Sequence, residues 1–367
     1  MRKLFTVLAL AACAATSAQA QNAWQSELGI QGGFTRLVQA GSGGGPLDQV
    51  SLPGFNLGPA APFPGGLFLI IPWKPKLAIE PEFSFAELNN AGTAATLISV
   101  GLRGNYALSE RFYAAAGVGV GYISNTGQND QQFGLQAALG YRRHFTGPLN
   151  VRVEARMTAW AKTDNLTPYD LYSVLVGVST GVGARRGGRA AAPARSASLW
   201  TKAFGIAGGY VHTHEVGGGN DLVTLALPGF GGALTAFGTP EGTTPPTLFA
   251  IFPMGNKIAL EPGIDIHRMQ SGGNTVFAGT VQGRFNYSFG SRWYGALGGN
   301  LQYIKATGTD ATTRTGLNLA WGYRFQLSGA LGGRTELNYT MWGKNTDIGT
   351  APINTLGLMF GVTVPLK

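Results

Sequence analysis

Three short stretches of the chain hold residue types that can do chemistry. GVSTG at 177–181 fits the G-x-S-x-G pattern, in which a serine nucleophile is exposed on a sharp turn between a strand and a helix. Ser179 instead lies within an alternating strand pattern with no helix after it, so the turn is missing. HTHE at 212–215 brings His212 and His214 to one side of a strand end beside Glu215, a trio of the kind that holds a divalent metal. The corresponding place in the first half of the chain lies within TRLVQ at 35–39, which has no such trio, and the expectation is a solvated loop without metal. GVGVG at 117–121 has no helix after it and reads as a strand with small inward glycines, not a phosphate loop. His144 and His267 are isolated. No Ser/His/carboxylate set occurs in both halves, so neither enzyme activity nor a cofactor is expected.

A different set of polar residues is written twice. VRVEARMTAWAK at 151–162 returns as GRTELNYTMWGK at 333–344, with Arg152, Glu154, Thr158, Trp160 and Lys162 answered 182 positions later by Arg334, Glu336, Thr340, Trp342 and Lys344. The correspondence runs the length of the chain. WQSELGIQGGF at 24–34 answers WTKAFGIAGGY at 200–210, KLAIEPEFSF at 76–85 answers KIALEPGIDI at 257–266, and RGNYALSERFY at 103–113 answers RFNYSFGSRWY at 284–294. A period this long marks a duplicated domain or half-barrel, not a solenoid repeat of about 20–50 residues.

Within each half the pattern has period two, which sends alternate residues to opposite faces of a strand. The recurring polar residues occupy one face, where neighbours must match in charge and shape. The drifting residues occupy the other, which asks only for apolar side chains. This reading gives eight strands per half, near 24–37, 66–73, 77–87, 94–107, 112–124, 131–145, 149–162 and 170–182, then near 200–213, 247–254, 257–269, 274–287, 293–305, 312–325, 332–344 and 353–366. Tight turns such as ALSER and FGSR alternate with longer polar connections such as SNTGQND, KTDNLTPYD and KNTDIGT.

Composition says where the apolar face points. The 367 residues include 57 Gly, and only 12% are charged, about half the soluble norm. A soluble sandwich would put most of its charge on a solvent face; here the polar face is Gly, Ala, Thr and Asn with isolated charges. Arg2 and Lys3, an apolar stretch from Leu4 to Ala12 and AQA at 18–20 form a signal peptide over 1–20. LAAC at 10–13 offers the alternative of a lipoprotein box at Cys13. That is the chain's one cysteine, so the cleaved protein has no thiol or disulfide chemistry. The net charge of +9 falls to +7 without Arg2 and Lys3, four of those positives sit together at 184–195 in the Ala/Pro/Gly-rich linker 184–199, and nucleic acid is not an expected partner.

Strands of about ten residues, alternating connections and aromatics at strand ends (Tyr106, Phe112, Tyr113, Tyr141, Trp293, Tyr294 and Tyr323) are the signature of a transmembrane barrel. Each half resembles the small outer-membrane β-barrels, the opacity-protein and porin-like group of eight-stranded up-and-down barrels. The terminal GVTVPLK fits that group's assembly signal through Gly361, Val364 and Leu366 but ends in Lys367, not an aromatic. The resemblance implies an all-β fold in the bacterial outer membrane. Its implied partners are lipid or lipopolysaccharide, the barrel assembly machinery and small solutes.

Two tandem eight-stranded barrels, 21–183 and 200–367, are favoured over one sixteen-stranded pore, because a linker of about sixteen residues stands where a short turn would join strands eight and nine. Glu80, Glu82, Arg103, Arg142, Arg152, Glu154 and Arg156 would line the first lumen; Glu261, Asp265, Arg284, Arg324, Arg334 and Glu336 would line the second. In a narrow barrel such charges must pair. In a wide one, with Lys162 and Lys344 at the mouth, they would favour anions. DQVSLPGF at 48–55 answers DLVTLALPGF at 221–230, each in the longest loop of its half. Leu52, Phe55, Leu227 and Phe230 there would cover the mouth or contact an apolar ligand or lipopolysaccharide. The function implied is a non-catalytic porin-like or envelope-structural barrel, or else a surface binding module acting through those loops.

Overall fold

A computed structural model describes residues 23–39, 47–52, 66–90, 93–125, 128–146, 149–163, 168–181, 199–216, 221–226, 248–271, 274–328, 331–344 and 352–366. The expected signal peptide at 1–20, the linker apart from Leu199, and Phe55, Leu227 and Phe230 lie outside the described residues.

The described chain is all β. The first half contributes β1 (Glu27–Gln39), β2 (Leu47–Leu52), β3 (Leu67–Lys74), β4 (Leu77–Asn90), β5 (Thr93–Ala107), β6 (Phe112–Asn125), β7 (Gln128–Thr146), β8 (Leu149–Trp160) and β9 (Tyr169–Gly181). The second contributes β10 (Ala203–Glu215), β11 (Asp221–Ala226), β12 (Leu248–Pro253), β13 (Ile258–Ser271), β14 (Asn274–Ser288), β15 (Trp293–Ala306), β16 (Thr312–Ser328), β17 (Leu331–Trp342) and β18 (Ile353–Pro365). Consecutive strands pair antiparallel, β9 returns to β1 along its whole length, and β18 returns to β10 in the same way. Two eight-stranded barrels therefore close, as the sequence leads one to expect.

Two of the strands fall where a loop is expected. β2 and β11 contain the Leu-rich stretches before each PGF, and Leu52 is the last residue of β2. Their pairing joins the barrels. At the end that carries the chain termini, β1 pairs with β3 through Glu27–Ile30, and β10 pairs with β12 through Ala203–Ile206. Further along, β1 turns to β2 through Gly33–Leu37, and the other edge of β2 pairs with β13 of the second half through Ile266–Ser271. Reciprocally, β11 pairs with β10 on one edge and with β4 of the first half, Ala86–Asn90, on the other. The sixteen strand positions thus form two closed barrels at the terminal end and one continuous ring at the far end. In a bilayer every strand edge must be covered, and each short strand closes an edge left by the other half.

Two far-end connections are tighter than their composition suggests. β6 and β7 run into SNTGQND until only 126–127 separates them, and 272–273 alone separates β13 from β14. The polar residues are strand ends rather than loops. Pro81 and Pro262 sit where the β3–β4 and β12–β13 ladders skip residues, which fits the missing proline N–H.

Outward residues form an exposed apolar band, with Leu102, Val118, Leu135 and Val174 on the first barrel and Val281, Leu297, Leu337 and Phe360 on the second. Aromatics rim it at the terminal end. Phe112 and Tyr141 meet edge to face, and Phe289 stacks on Trp321 with centroids 5.0 Å apart. Where the barrels abut, Leu149, Leu331 and Val364 are buried together beside a cavity of about 200 Å3 lined by Ile30, Val178, Ile206 and Val362.

Candidate functional site

The inward face of each barrel collects its charges at mid-height, because period-two alternation and register bring Glu80 of β4 opposite Arg103 of β5, and Arg142 of β7 opposite Arg152 of β8. In the first barrel Arg103 reaches Glu80 at 2.5 Å, Glu82 at 2.9 Å and Glu154 at 2.7 Å. Arg156 bridges Glu82 at 2.7 Å and Glu154 at 2.6 Å, while Arg152 holds Glu80 at 2.8 Å and donates to Gln31. Three glutamates and three arginines close on one another, with side chains at most 5% exposed.

The second barrel repeats the core of this arrangement with its other ions placed differently. Arg284 reaches Glu261 at 2.7 Å and Glu336 at 2.6 Å, and Arg334 reaches Glu261 at 2.7 Å. The positions of Glu82 and Arg156 are taken by Gly263 and Asn338, while Asp265 and Arg314 are buried where the first barrel has Ser84 and Gln132, so an acid and a base are lost at one place and regained at another and the charge still balances. Asn338 donates to Glu336 at 3.1 Å, and Asn318 donates to Asn338 at 2.7 Å, putting neutral amides where the first barrel has ions. Asp265 is buried in the same lumen.

Arg142 and Arg324 stand apart from these networks, near the terminal end. Each lies over an indole, Trp24 or Trp200, at 3.9 Å. Each indole in turn donates to a backbone carbonyl, of Lys76 or Lys257.

Two tyrosines expected at the aromatic rim point the other way. Tyr113 and Tyr294 are buried and donate to Glu154 at 2.7 Å and Glu336 at 2.8 Å. The FY and WY dipeptides held the signal, since adjacent residues of a strand cannot share a face and Phe112 and Trp293 take the outer one. Phe68 and Phe249 were also not legible as site residues. Arg152 and Arg334 stack on them at 3.4 Å and 3.6 Å. Glycines make room for these large groups. A Cβ at Gly140 or Gly322 would fall within the ring of Tyr113 or Tyr294, and one at Gly177 or Gly361 would press on Arg152 or Arg334. Part of the glycine content is therefore the other half of a packed lumen.

The lone motifs resolve simply. Ser179 lies in extended β9, paired on both sides, and donates to Glu27 at 2.6 Å. HTHE belongs to β10, not to a loop, and period two sends Glu215 to the face opposite His212 and His214. No group of three metal-ligating side chains occurs among the described residues. Leu52 lies opposite Ile266 in the β2–β13 ladder.

Residues 5–183 match the outer membrane protein beta-barrel domain family. No curated protein sequence matches the chain. Among solved structures, a CymD monoaromatic hydrocarbon channel is 10% identical, with 96% of this chain and 91% of that one covered and a TM-score of 0.30. A KdgM porin is 8% identical over 78% and 99% of the two chains, with a TM-score of 0.21. A Pseudomonas aeruginosa FadL homologue is 12% identical over 96% and 93%, with a TM-score of 0.22.

Proposed function

We propose that this outer-membrane β-barrel protein, whose first half is a member of the outer membrane protein beta-barrel domain family, is a non-catalytic, envelope-structural component and not an open porin. One observation carries the reading: the inward face of both barrels is buried across its width by charge-balanced side chains, with Glu80 and Glu261 each 0% exposed. An eight-stranded barrel has an interior that side chains can fill, whereas a porin leaves an aqueous channel. The lumen residues then act as internal struts. The signal peptide delivers the chain, the barrel assembly machinery inserts it, and lipid or lipopolysaccharide surrounds the apolar band. The two halves descend from one duplicated barrel, and the end at which β1 and β10 begin and β9 and β18 finish faces the periplasm.

Deleting the protein in its parent bacterium tests this reading. The expected result is a leakier envelope, read as greater sensitivity to bulky antibiotics, with uptake of small solutes unchanged. Lost uptake of a solute class with envelope integrity intact would instead make the protein a porin.

A further inference from the structure

The terminal mouth of the first barrel is a cup of about 410 Å3 whose floor is the ion network, reached through Tyr113 and Arg152. Its wall includes Arg111, Arg142, Arg143, His144 and Asn150, with Glu27 and Glu110 as the acids. Most of these are particular to the first half. At the corresponding positions the second half has Phe325 for Arg143, Gln326 for His144, Gly332 for Asn150, Ala203 for Glu27 and Ser291 for Glu110. The wall of the first mouth is thus the one that carries acids and a histidine beside its arginines.

The two conserved arginines sharpen the contrast. Arg324 spends its N–H groups on its own chain, donating to the carbonyl of Leu199 at 2.8 Å and to Ser288 at 2.7 Å. Arg142 lies over Trp24 in the same way, but its guanidinium meets no acceptor among the described residues. Glu27, the nearest inward acid, takes its hydrogen bond from Ser179 at 2.6 Å. His144 is held by Asn150 at 3.1 Å on the same inward face, two residues from Arg142. A guanidinium fixed by stacking, with its donors facing a cup, suits bidentate capture of a carboxylate or phosphate.

We propose that this cup binds a small water-borne organic oxyanion, a carboxylate or a phosphate monoester, through Arg142, with His144 and Arg111 beside it. The site is independent of whether the barrels conduct, because it lies outside the ion network. Isothermal titration of the folded, detergent-solubilised full chain with succinate and with inorganic phosphate tests it. Saturable binding of at least one probe is expected, and which probe binds tells carboxylate from phosphate. Arg142→Gln should weaken it at least about tenfold, at 1.4 kcal/mol per decade, while Arg324→Gln leaves it unchanged. Should Arg142→Gln fail to fold, the pair His144→Gln with Asn150→Gly, which imports the second barrel's residues, should weaken binding several-fold. No saturable binding of either probe to the wild type overturns the proposal. So does wild-type affinity in a folded Arg142→Gln protein, or in the double variant if Arg142→Gln does not fold.

Discussion

The two lumens solve one problem with differently placed ions. The first holds three acids and three bases; the second keeps Glu261, Glu336, Arg284 and Arg334, replaces the Glu82–Arg156 pair with Gly263 and Asn338, and buries Asp265 and Arg314 where the first has Ser84 and Gln132. What persists between them is therefore not a particular ion pair but neutrality and filled volume. That is the physical requirement, since a single uncompensated charge inside a barrel costs several kcal/mol, whereas removing both partners costs much less. The barrels also do not stand apart, because each lends the other a short strand.

The exchange gives the most decisive test, because its readout is all or none. Residues 21–367 contain no cysteine, and Ser51 lies opposite His267 across the β2–β13 ladder. Ser51→Cys with His267→Cys should form an intrachain disulfide on oxidation, since facing residues of antiparallel strands are close enough to be bridged. Pairing of β2 with β4 inside the first barrel would leave that pair reduced and would make the two barrels separate units.

Next in size is loss of one ion. Glu154→Ala leaves Arg103, Arg156 and Tyr113 without a shared acceptor and should cost about 3–5 kcal/mol in urea unfolding from lipid. Glu336→Ala strands one arginine and one tyrosine, and should cost less. Equal losses would mean that the Glu82–Arg156 pair of the first barrel bears no load.

Replacing that pair is a gentler change. Glu82→Gly or Arg156→Asn alone should destabilise more than their combination implies, with a coupling of about 0.5–3 kcal/mol in the double-mutant cycle. The double variant should then approach the second barrel's behaviour. Additive losses would refute charge balance as the rule.

The smallest effects separate packed from open glycines. Gly140→Ala should cost about 1–3 kcal/mol by pressing on Tyr113. Gly283→Ala, which faces open space, should stay within about 0.5 kcal/mol. The same unfolding measurement reads both.

Much of this molecule is legible in its sequence because a barrel wall has a strict period. Alternation in VRVEARMTAW tells which of Arg152, Glu154 and Arg156 share a face, and the second copy at Arg334 and Glu336 shows that the face is constrained. Register then makes them neighbours. β2 and β11 were not legible as strands, since each has six residues beside Gly- and Pro-rich sequence and takes one partner from the other half. Nothing local in LDQVSL announces His267. Tyr113 and Tyr294 were misplaced because an aromatic at a strand end suits a rim as well as a lumen; their carboxylate partners lie about 40 residues away. The ladders of the two long far-end hairpins also extend into sequence whose Asn, Gly and Asp content reads as turn.

The central claim is that both lumens are closed by their own side chains. Single-channel recording of the folded, cleaved chain in a planar bilayer tests it most directly. The account predicts a silent membrane from protein shown to be inserted. Stable openings of porin size in the wild-type protein would contradict it, and would mean that the ion networks line a water-filled path and do not seal one.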